Sequence, residues 1–373
     1  MLEQELTVAE KKQLDTYRFN QPLFLKLQSE LKHGHFAVER NWVRGNFKIP
    51  SDKDWLELTN DPQKHHHHEE LARDAIRRGE LCVVFLSGGM AMRYGHVVKA
   101  VQAALFNKSF LELKLRQLLK TCQELDSMIP VFLLTSFATH EKTLQHLEEN
   151  NYFSWHKQLI HCVPQSISLR VLADGTLLRD EQGGVSFYAP GHGDVFASLV
   201  QDQKFDTWRT QGGKHVMVGN IDNFGASLST EILGTHLSQK KTVSVEVTKR
   251  LAHDAGGVPV FVDNHLRLVE GFCFPPHVPL QTVSVFNTNT LWVNVEHFHN
   301  QHPLSWFRVE KVLGGNKVIQ FEQLMGELTA FVDTSYICVP RTGPGGRFYP
   351  IKSPEDLKTC EQDLALHFAF LQS

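Results

Sequence analysis

The chain has 373 residues, a formal net charge of −3, and a composition that is 42% hydrophobic and 21% charged. This is an ordinary globular composition, large enough for two or three lobes, and it lacks the basic excess typical of nucleic-acid-binding proteins. No apolar run approaches the roughly 20 residues that span a bilayer, and the N-terminus has no apolar signal core. From the charge balance and the apolar runs we expect neither nucleic acid nor membrane as a partner. Six scattered cysteines without a C-x-x-C pair predict a reduced, cytoplasmic protein with no disulfide framework.

Residues 1–80 are predicted to form a helical N-terminal extension. Thr7, followed three residues later by a glutamate, fits a capping box. Ser51, followed three residues later by an aspartate, predicts a second helix start. A third helix is expected from His68 to Arg78, with Gly79 ending it.

Residues 81–240 are predicted to form a nucleotide-binding α/β core, because strand-like and helix-like runs alternate there. The strand-like runs are 81–86, 130–134, 158–163 and 214–219, and the helix-like runs are 109–124, 139–150, 194–202 and 228–238. Alternation at this spacing predicts a mixed, mainly parallel sheet with helices on both faces. Ligands of such sheets bind beyond the carboxyl ends of the strands, so the loops there are the candidate site.

The first of these strands, 81–86, runs into a glycine turn. Gly88 and Gly89 allow close approach to the backbone, and two cations, Arg93 and Lys99, follow. Such a loop can hold a nucleotide, because backbone N–H groups face the ligand while the cations neutralise phosphate charge. The alternative is a tight strand-to-helix turn that binds nothing.

Two later loops carry candidate ligand-binding side chains. YAPGHGDVFASL (188–199) places His192 between two glycines and Asp194 at a helix start, where free N–H groups favour an anion; a capped helix entrance is the alternative. VGNIDNFGA (218–226) places Asp222 at a strand end. One carboxylate there suits Mg²⁺, which binds mainly through substrate phosphates, and an Asx-turn is the alternative.

Residues 241–373 are predicted to contain a small antiparallel sugar-phosphate-binding part and a C-terminal segment that completes the core. The runs 242–250 and 283–293 are expected to be short antiparallel strands. The run 256–271 is typical of a hairpin that turns at Asp263-Asn264.

Two motifs in this last part carry polar or cationic side chains that could contact a ligand. FNTNTLW (286–292) interrupts an apolar strand with amides and hydroxyls that match sugar hydroxyls, or it forms a strand with a polar bulge. RTGPGGRFYPIK (341–352) brings Arg347 and Lys352 close to an ordered chain, or it forms a basic surface turn.

The order of the motifs is more specific than any one of them. The glycine loop with its lysine is followed by Gln165, PGHGD, NIDN, EVTKR with GG, FNTNTLW, IQFE and RFYPIK. This series, over about 81–360, resembles the UTP–glucose-1-phosphate uridylyltransferase family. The resemblance implies a Rossmann-like nucleotidyltransferase core and a reversible, Mg²⁺-dependent reaction of two small molecules, UTP and the sugar 1-phosphate, that yields UDP-glucose and pyrophosphate.

The resemblance also implies roles for individual residues. It assigns the uracil to Gly88, Gly89, Gln165 and Gly191, the phosphates to Lys99, His192 and Lys352, the ribose or the metal to Asp222, and the sugar phosphate to Gly257, Glu270, Asn287, Asn289 and Glu322. Family members usually have a Gly-Thr pair where this chain has Ala91-Met92, and a small residue at His96. Arg93 is therefore expected to take over a phosphate contact.

Two alternatives stay open. One is a pyrophosphorylase for another UDP-sugar or a UDP-N-acetylhexosamine, or one of broad sugar specificity. The other, motivated by Met92 and His96, is a nucleotide-sugar-binding protein without catalysis. Eukaryotic family members carry a C-terminal β-helical domain that helps them oligomerise; we expect no such domain in the 21 residues after Lys352, so the oligomeric state is not inferred.

Overall fold

The computed structural model describes residues 2–91, 97–298, 302–343 and 345–371. The helices in these ranges are α1 (Val8–Thr16), α2 (Gln21–Lys32), α3 (Pro62–Arg77), α4 (Phe110–Glu124), α5 (His140–Glu149), α6 (Val195–Val200), α7 (Gln203–Thr210), α8 (Thr230–Gln239), α9 (Pro354–Thr359) and α10 (Glu361–His367). None of these described helices combines the length and the apolar character needed to cross a membrane.

The strands of the described ranges vary from two to ten residues in length. They are β1 (Phe47–Lys48), β2 (Leu56–Glu57), β3 (Leu81–Leu86), β4 (Met90–Ala91), β5 (Val97–Val98), β6 (Val131–Thr135), β7 (Ile160–Pro164), β8 (Ser168–Leu169), β9 (Val171–Leu172), β10 (Phe187–Tyr188), β11 (His215–Asn220), β12 (Val243–Lys249), β13 (Val258–Val262), β14 (His265–Val269), β15 (Val285–Asn294), β16 (Phe307–Leu313), β17 (Asn316–Glu322) and β18 (Thr334–Cys338).

An eight-stranded sheet in the order β2-β18-β12-β15-β11-β3-β6-β7 forms the centre of the molecule. Every pair is parallel except the two that β15 makes with β11 and β12. One apolar cluster packs on each face of the sheet, which explains the unbroken apolar run of β3. The predicted mixed, mainly parallel sheet is confirmed.

The strands that were expected to form a separate antiparallel part belong largely to this sheet. The antiparallel relation predicted for these two runs is confirmed, because β12 and β15 pair antiparallel. Their placement in a separate part is wrong, because β12 also pairs parallel with β18 and both strands lie inside the eight-stranded sheet. Period-2 patterns report burial and not sheet order, which is why sequence reasoning misplaced both strands. The β13–β14 hairpin is confirmed, with Asp263 and Asn264 at φ 50° and 66°.

The N-terminal extension contains three helices and also two short strands. The capping box at Thr7 is present, and the third helix ends before Gly79 as predicted, although it begins at Pro62 with Asp61 as its cap. The second predicted helix is wrong. Ser51 does bond Asp54 as a capping residue would, but Leu56–Glu57 then pairs with β18 at the edge of the central sheet.

A buried ion pair fastens the C-terminal segment to the sheet. Arg347, which is 6% exposed, donates from Nε and Nη2 to the two carboxylate oxygens of Glu246 on β12, at 2.6 and 2.8 Å. Trp292 donates to the same carboxylate at 2.9 Å. The segment is therefore not a basic surface turn.

The same segment holds the loop that follows β11. The Asn223 amide donates to the Arg347 carbonyl at 3.1 Å and accepts from the Tyr349 N–H at 2.8 Å. One residue away, the Ile351 N–H donates to the Asp222 carbonyl at 2.9 Å. The position of Asp222 thus depends on the C-terminal segment as well as on β11.

Replacing Arg347 with alanine should destabilise the protein by about 3–5 kcal/mol, because Glu246 would stay buried as an unpaired charge. Urea unfolding monitored by circular dichroism measures this free energy. Arg77→Ala is the matched control: Arg77 pairs with Asp74 at the surface, so its loss should cost less than about 1 kcal/mol. Equal losses in the two variants would contradict a structural role for the buried pair.

Candidate functional site

A cleft of about 480 Å³ lies at the carboxyl ends of the parallel strands. Its lining includes residues from the loops after β3, β6, β7 and β11, among them Gly88, Ser136, Gln165 and Asp222. Of the residues predicted from the sequence, the cleft brings together Gly88, Gly89, Lys99, Gln165, Gly191, His192, Asp222 and Glu322.

Gln165 links two glycine loops at one end of the cleft. Its amide donates to the Gly191 carbonyl at 2.7 Å, and a methyl group added at Gly88 would lie 2.5 Å from its Oε1. The Gly88 carbonyl accepts from the Ser136 hydroxyl at 2.8 Å. A side chain at Gly88 would displace the Gln165 amide, so glycine keeps this amide beside the backbone of the loop.

The PGHGD loop lies flat against residues 323–325. Gly193 N–H donates to the Gln323 carbonyl at 2.9 Å, and Gln323 N–H donates to the Pro190 carbonyl at 2.8 Å. Gly191 has φ 87°, and a methyl group there would lie 2.5 Å from the Gln323 oxygen. The two glycines are therefore required by backbone conformation and by close packing.

His192 is held by a backbone donor. The Met325 N–H donates to His192 Nδ1 at 3.0 Å, so Nδ1 carries no proton. Burial lowers the pKa of His192 to about 4, so the ring is neutral at pH 7 with its proton on Nε2. In this form the ring is a hydrogen-bond donor in a cleft where phosphate oxygens could accept.

Asp194 has a different role from the one expected at a helix start. It is 4% exposed and accepts from the Ser166 N–H at 2.8 Å and from the hydroxyls of Ser166 and Ser198 at 3.1 and 2.8 Å. Desolvation raises its pKa, while these hydrogen bonds and the charge of Arg18 oppose the rise. Asp194 therefore fixes the segment that carries Gln165, and its side chain does not cap α6.

Lys99 and Asp222 form an ion pair on the cleft wall. Met90–Ala91 pairs with Val97–Val98, which returns the chain so that Lys99 N–H lies 3.4 Å from the Gly89 carbonyl. Lys99 Nζ then lies 2.7 Å from Asp222 Oδ2, and the two side chains are 10% and 19% exposed. The aspartate holds the ammonium group in place at the edge of the glycine loop.

A second group of predicted residues lies beside the cleft without lining it. Asn287 N–H donates to the Gly257 carbonyl at 3.0 Å, and a methyl group at Gly257 would lie 2.9 Å from Glu270 Oε1. Asn289 donates to the side chain of Asn220, a cleft-lining residue, at 3.0 Å. Burial raises the pKa of Glu270 to about 7, so this carboxyl is half protonated near neutral pH.

The polar bulge that was an alternative interpretation of FNTNTLW is present. Pairing with β12 shifts by two residues, because Val247 faces Asn287 and Glu246 faces Thr290. Asn289 lies within this insertion at φ 61°. The bulge is what carries the Asn289 amide to Asn220, so the bulge and the contact with the cleft are one feature.

Two of the predicted cations are not among the residues seen to line the cleft. Lys352 is exposed and does not line the cleft, although the residue before it donates to the Asp222 carbonyl. Arg93 lies outside the described residues, as do Met92 and His96.

Sequence reasoning missed two cations that line the cleft, Lys311 and Arg170. Lys311 on β16 pairs with Glu322 at 2.8 Å. Arg170, between β8 and β9, contacts the carbonyl of Phe187 and the ring of Tyr188. A lysine within an alternating strand such as FRVEKVL gives no signal of its own, since charged residues are normal on an exposed strand face.

The carboxylates that line the cleft could hold Mg²⁺ only together with ligands from a substrate and from water. Asp222 and Glu322 supply the carboxylates of the lining, each already paired with a lysine. Within the described ranges, no three His, Cys, Asp or Glu side chains are grouped as a metal site. A Mg²⁺ ion here would take a carboxylate oxygen of Asp222 and complete its shell with phosphates and water, as Mg²⁺ commonly does.

The fold is that of the UDP-sugar pyrophosphorylases. A UDP-glucose phosphorylase from Trypanosoma brucei matches with a TM-score of 0.73 and 21% identity, covering 90% of this chain and 73% of that one. A uridine diphosphate N-acetylglucosamine pyrophosphorylase from the same organism matches with a TM-score of 0.74 and 16% identity, covering 95% and 79%. At these identities the likeness is one of fold.

The chain belongs to the UTP–glucose-1-phosphate uridylyltransferase family, whose profile matches residues 41–367. The barley (Hordeum vulgare) UTP–glucose-1-phosphate uridylyltransferase is 31% identical over 301 residues, or 76% of this chain. The chain spans 62% of the length of this and other plant relatives that it matches. The resemblance inferred from the motifs is thereby confirmed.

The imidazole of His192 should remain neutral, with its proton on Nε2, down to about pH 4. An unfolded histidine titrates near 6.5, so this group's contribution to stability is complete above about pH 6.5 and is lost as the pH falls toward 4. Long-range ¹H–¹⁵N correlation spectra of the ring nitrogens report both tautomer and pKa. A ring that titrates near 6.5 would contradict its burial, and a ring that carries its proton on Nδ1 would contradict the contact with Met325.

Proposed function

We propose that this protein transfers a uridylyl group between UTP and glucose 1-phosphate. The observation that carries the proposal is the arrangement within one cleft: the Gln165 amide between two glycine loops at one end, and the Lys99–Asp222 pair on the wall. The amide of Gln165 matches the donor and acceptor edge of a uracil. The ammonium group of Lys99 lines the same cleft, so it could neutralise the phosphate charge of a nucleotide whose base lies beside Gln165.

The chemistry is a direct in-line displacement. A phosphate oxygen of glucose 1-phosphate attacks the α-phosphorus of UTP, a new P–O bond forms, and the bond to the β-phosphate oxygen breaks to release pyrophosphate. The nucleophile is already an anion, so a strong general base is not required. Catalysis then depends on positioning and on neutralising the repulsion between two polyanions.

The protein groups divide this work between them. Lys99 and the Nε2–H of neutral His192, which both line the cleft, would contact the UTP phosphates. Lys352, exposed beside the Asp222 loop, would reach the phosphates from solvent, and Arg93 is proposed as a further cation. Gly257, Glu270, Asn287 and Asn289 would face the sugar phosphate, with Asn220 as the contact between that group and the cleft.

We propose Mg²⁺ as the cofactor, held by Asp222 together with substrate phosphates. The ion would supply further neutralisation of phosphate charge when bound. The same carboxylate is already paired with Lys99. Asp222 would therefore orient the ammonium group of Lys99 when the metal is absent, and both cations when the metal is bound. The cytoplasmic location stays a prediction from composition and cysteine pattern.

Lys99→Ala and Lys352→Ala should each lower the turnover number by about 10²–10³ at saturating substrates, because each removes a cation that stabilises developing phosphate charge. The measurement is pyrophosphate release from UTP and glucose 1-phosphate, with circular dichroism to confirm the fold. Lys120→Ala is the matched control, since Lys120 pairs with Glu124 on the exposed face of α4. Near-normal turnover in Lys99→Ala or in Lys352→Ala would remove that lysine from the proposed machinery.

Asp222→Asn should weaken metal use while keeping an oxygen that Lys99 can contact. The Mg²⁺ concentration for half-maximal rate is expected to rise by at least the roughly 10–100-fold that loss of a metal-supporting group costs. Binding of Mn²⁺ in the presence of UTP, followed by electron paramagnetic resonance, measures the same change without turnover. Unchanged Mn²⁺ affinity would exclude Asp222 as the ligand.

A panel of sugar 1-phosphates separates the alternatives. Pyrophosphate release with glucose 1-phosphate, but not with galactose 1-phosphate or N-acetylglucosamine 1-phosphate, supports the proposed specificity. Release with the N-acetyl sugar would favour the UDP-N-acetylhexosamine alternative. Absence of release with every sugar, from folded protein that still binds UDP-glucose, would favour a nucleotide-sugar-binding protein.

A further inference from the structure

The turn between α1 and α2 reaches the segment that carries Gln165. The Tyr17 carbonyl accepts from the Ile167 N–H at 3.0 Å. The guanidinium of Arg18 donates to the Pro164 carbonyl and lies 3.3 Å from the Ser198 hydroxyl. The N-terminal extension therefore holds the chain immediately before and shortly after the glutamine.

The same turn also contacts the loop after β6. The ring of Tyr17, which is 9% exposed, packs edge-on against Phe137 and His140, with ring centroids 6.4 Å apart in each case. Phe137 lines the cleft. Two neighbouring residues of the extension thus touch two different loops of the cleft.

The backbone at Arg18 is unusual for a residue with a side chain. Its φ is 55°, in the left-handed region that glycine adopts without strain. A glycine would serve a tight turn better, so the arginine is explained by what its guanidinium contacts. Those contacts are the carbonyl of Pro164 on β7, which directly precedes the cleft residue Gln165, and the hydroxyl of Ser198 on α6.

The charge of Arg18 also faces Asp194, the buried carboxylate that accepts from Ser166 and Ser198. Ser166 directly follows Gln165, and Pro164 directly precedes it. Arg18 thus holds Pro164 directly through a hydrogen bond. Its charge also offsets that of Asp194, the buried carboxylate that holds Ser166.

We propose that Arg18 is a positioning residue for the uracil site, and that the helical N-terminal extension sets nucleotide affinity by fixing Gln165. The inference rests on the proposed function, because it takes the slot between Gly88 and Gly191 as the place of the base. It gives the extension a role in recognition as well as in packing.

The test compares Arg18→Gly, Arg18→Lys and Arg40→Ala with the wild-type protein. Glycine suits the left-handed backbone, so Arg18→Gly removes the guanidinium without straining the turn, and a urea melt checks that it folds. Lysine keeps a positive charge and N–H donors on a single nitrogen, but it lacks the planar fork of the guanidinium. Arg40 is the matched control, since it belongs to the same extension but contacts Glu30 and the ring of Phe36.

Calorimetry with UDP is the binding measurement, and kinetics with UTP and glucose 1-phosphate follow. Arg18→Gly should weaken UDP binding and raise KM for UTP by about tenfold, the size expected for one charged hydrogen bond. The turnover number and KM for glucose 1-phosphate should stay within about twofold. Arg18→Lys should fall between Arg18→Gly and wild type, and Arg40→Ala should match wild type.

The outcomes separate the two proposals. UDP binding by folded Arg18→Gly within twofold of wild type would overturn the positioning role and leave the proposed function intact. The positioning role would also be overturned if Arg18→Gly lowered the turnover number with an unchanged KM for UTP. An equal loss of UDP affinity in Arg40→Ala would overturn it too. Wild-type protein that binds no UDP would overturn the proposed function and this inference together.

Discussion

The cleft depends on the parallel pairing of β3 with β11 and β6, and of β6 with β7. In that register Leu86 faces both Asn220 and Leu134, and Thr135 faces Pro164. The residues that follow these partners therefore emerge at one level, although they are separated by up to about 130 positions in sequence. A slip of one residue in any pair would turn the neighbouring side chains to the other face of the sheet and separate the glycine loop from Gln165.

Buried charged residues also support the loop that carries Asp222. The bidentate Arg347–Glu246 pair lies behind the loop of Asp222, and Lys114 is buried beside it with its ammonium group 2.6 Å from the Ala226 carbonyl. Burial lowers the pKa of Lys114 to about 7, so this charge is already partly withdrawn at neutral pH. Interior charges are thus paired, or burial disfavours their charged form, while the cleft lysines Lys99 and Lys311 are each paired with a carboxylate that also lines the cleft.

Much of this arrangement could be predicted from the sequence, and the rest depended on contacts that no local pattern reports. The alternation of 81–240 predicted the sheet, and strand-end glycines and polar residues predicted the loops of the cleft. Sheet order could not be read from period-2 patterns, so β12 and β15 were misplaced, and the capping signal at Ser51 was real while the helix was not. Lys311 was missed because a charged residue is normal on an alternating strand, and Arg18 was missed because its partners Pro164 and Ser198 are far away in sequence.

The bulge in β15 inserts two residues, an even number. Val285 before it and Leu291 after it therefore remain in the same apolar cluster, and Trp292 still faces the other one. A one-residue insertion would have exchanged the two faces of the strand beyond that point. The stretch beside Asn220 can accordingly change its shape during evolution without repacking the sheet that supports it, so ligand preference and fold stability can vary separately at this strand.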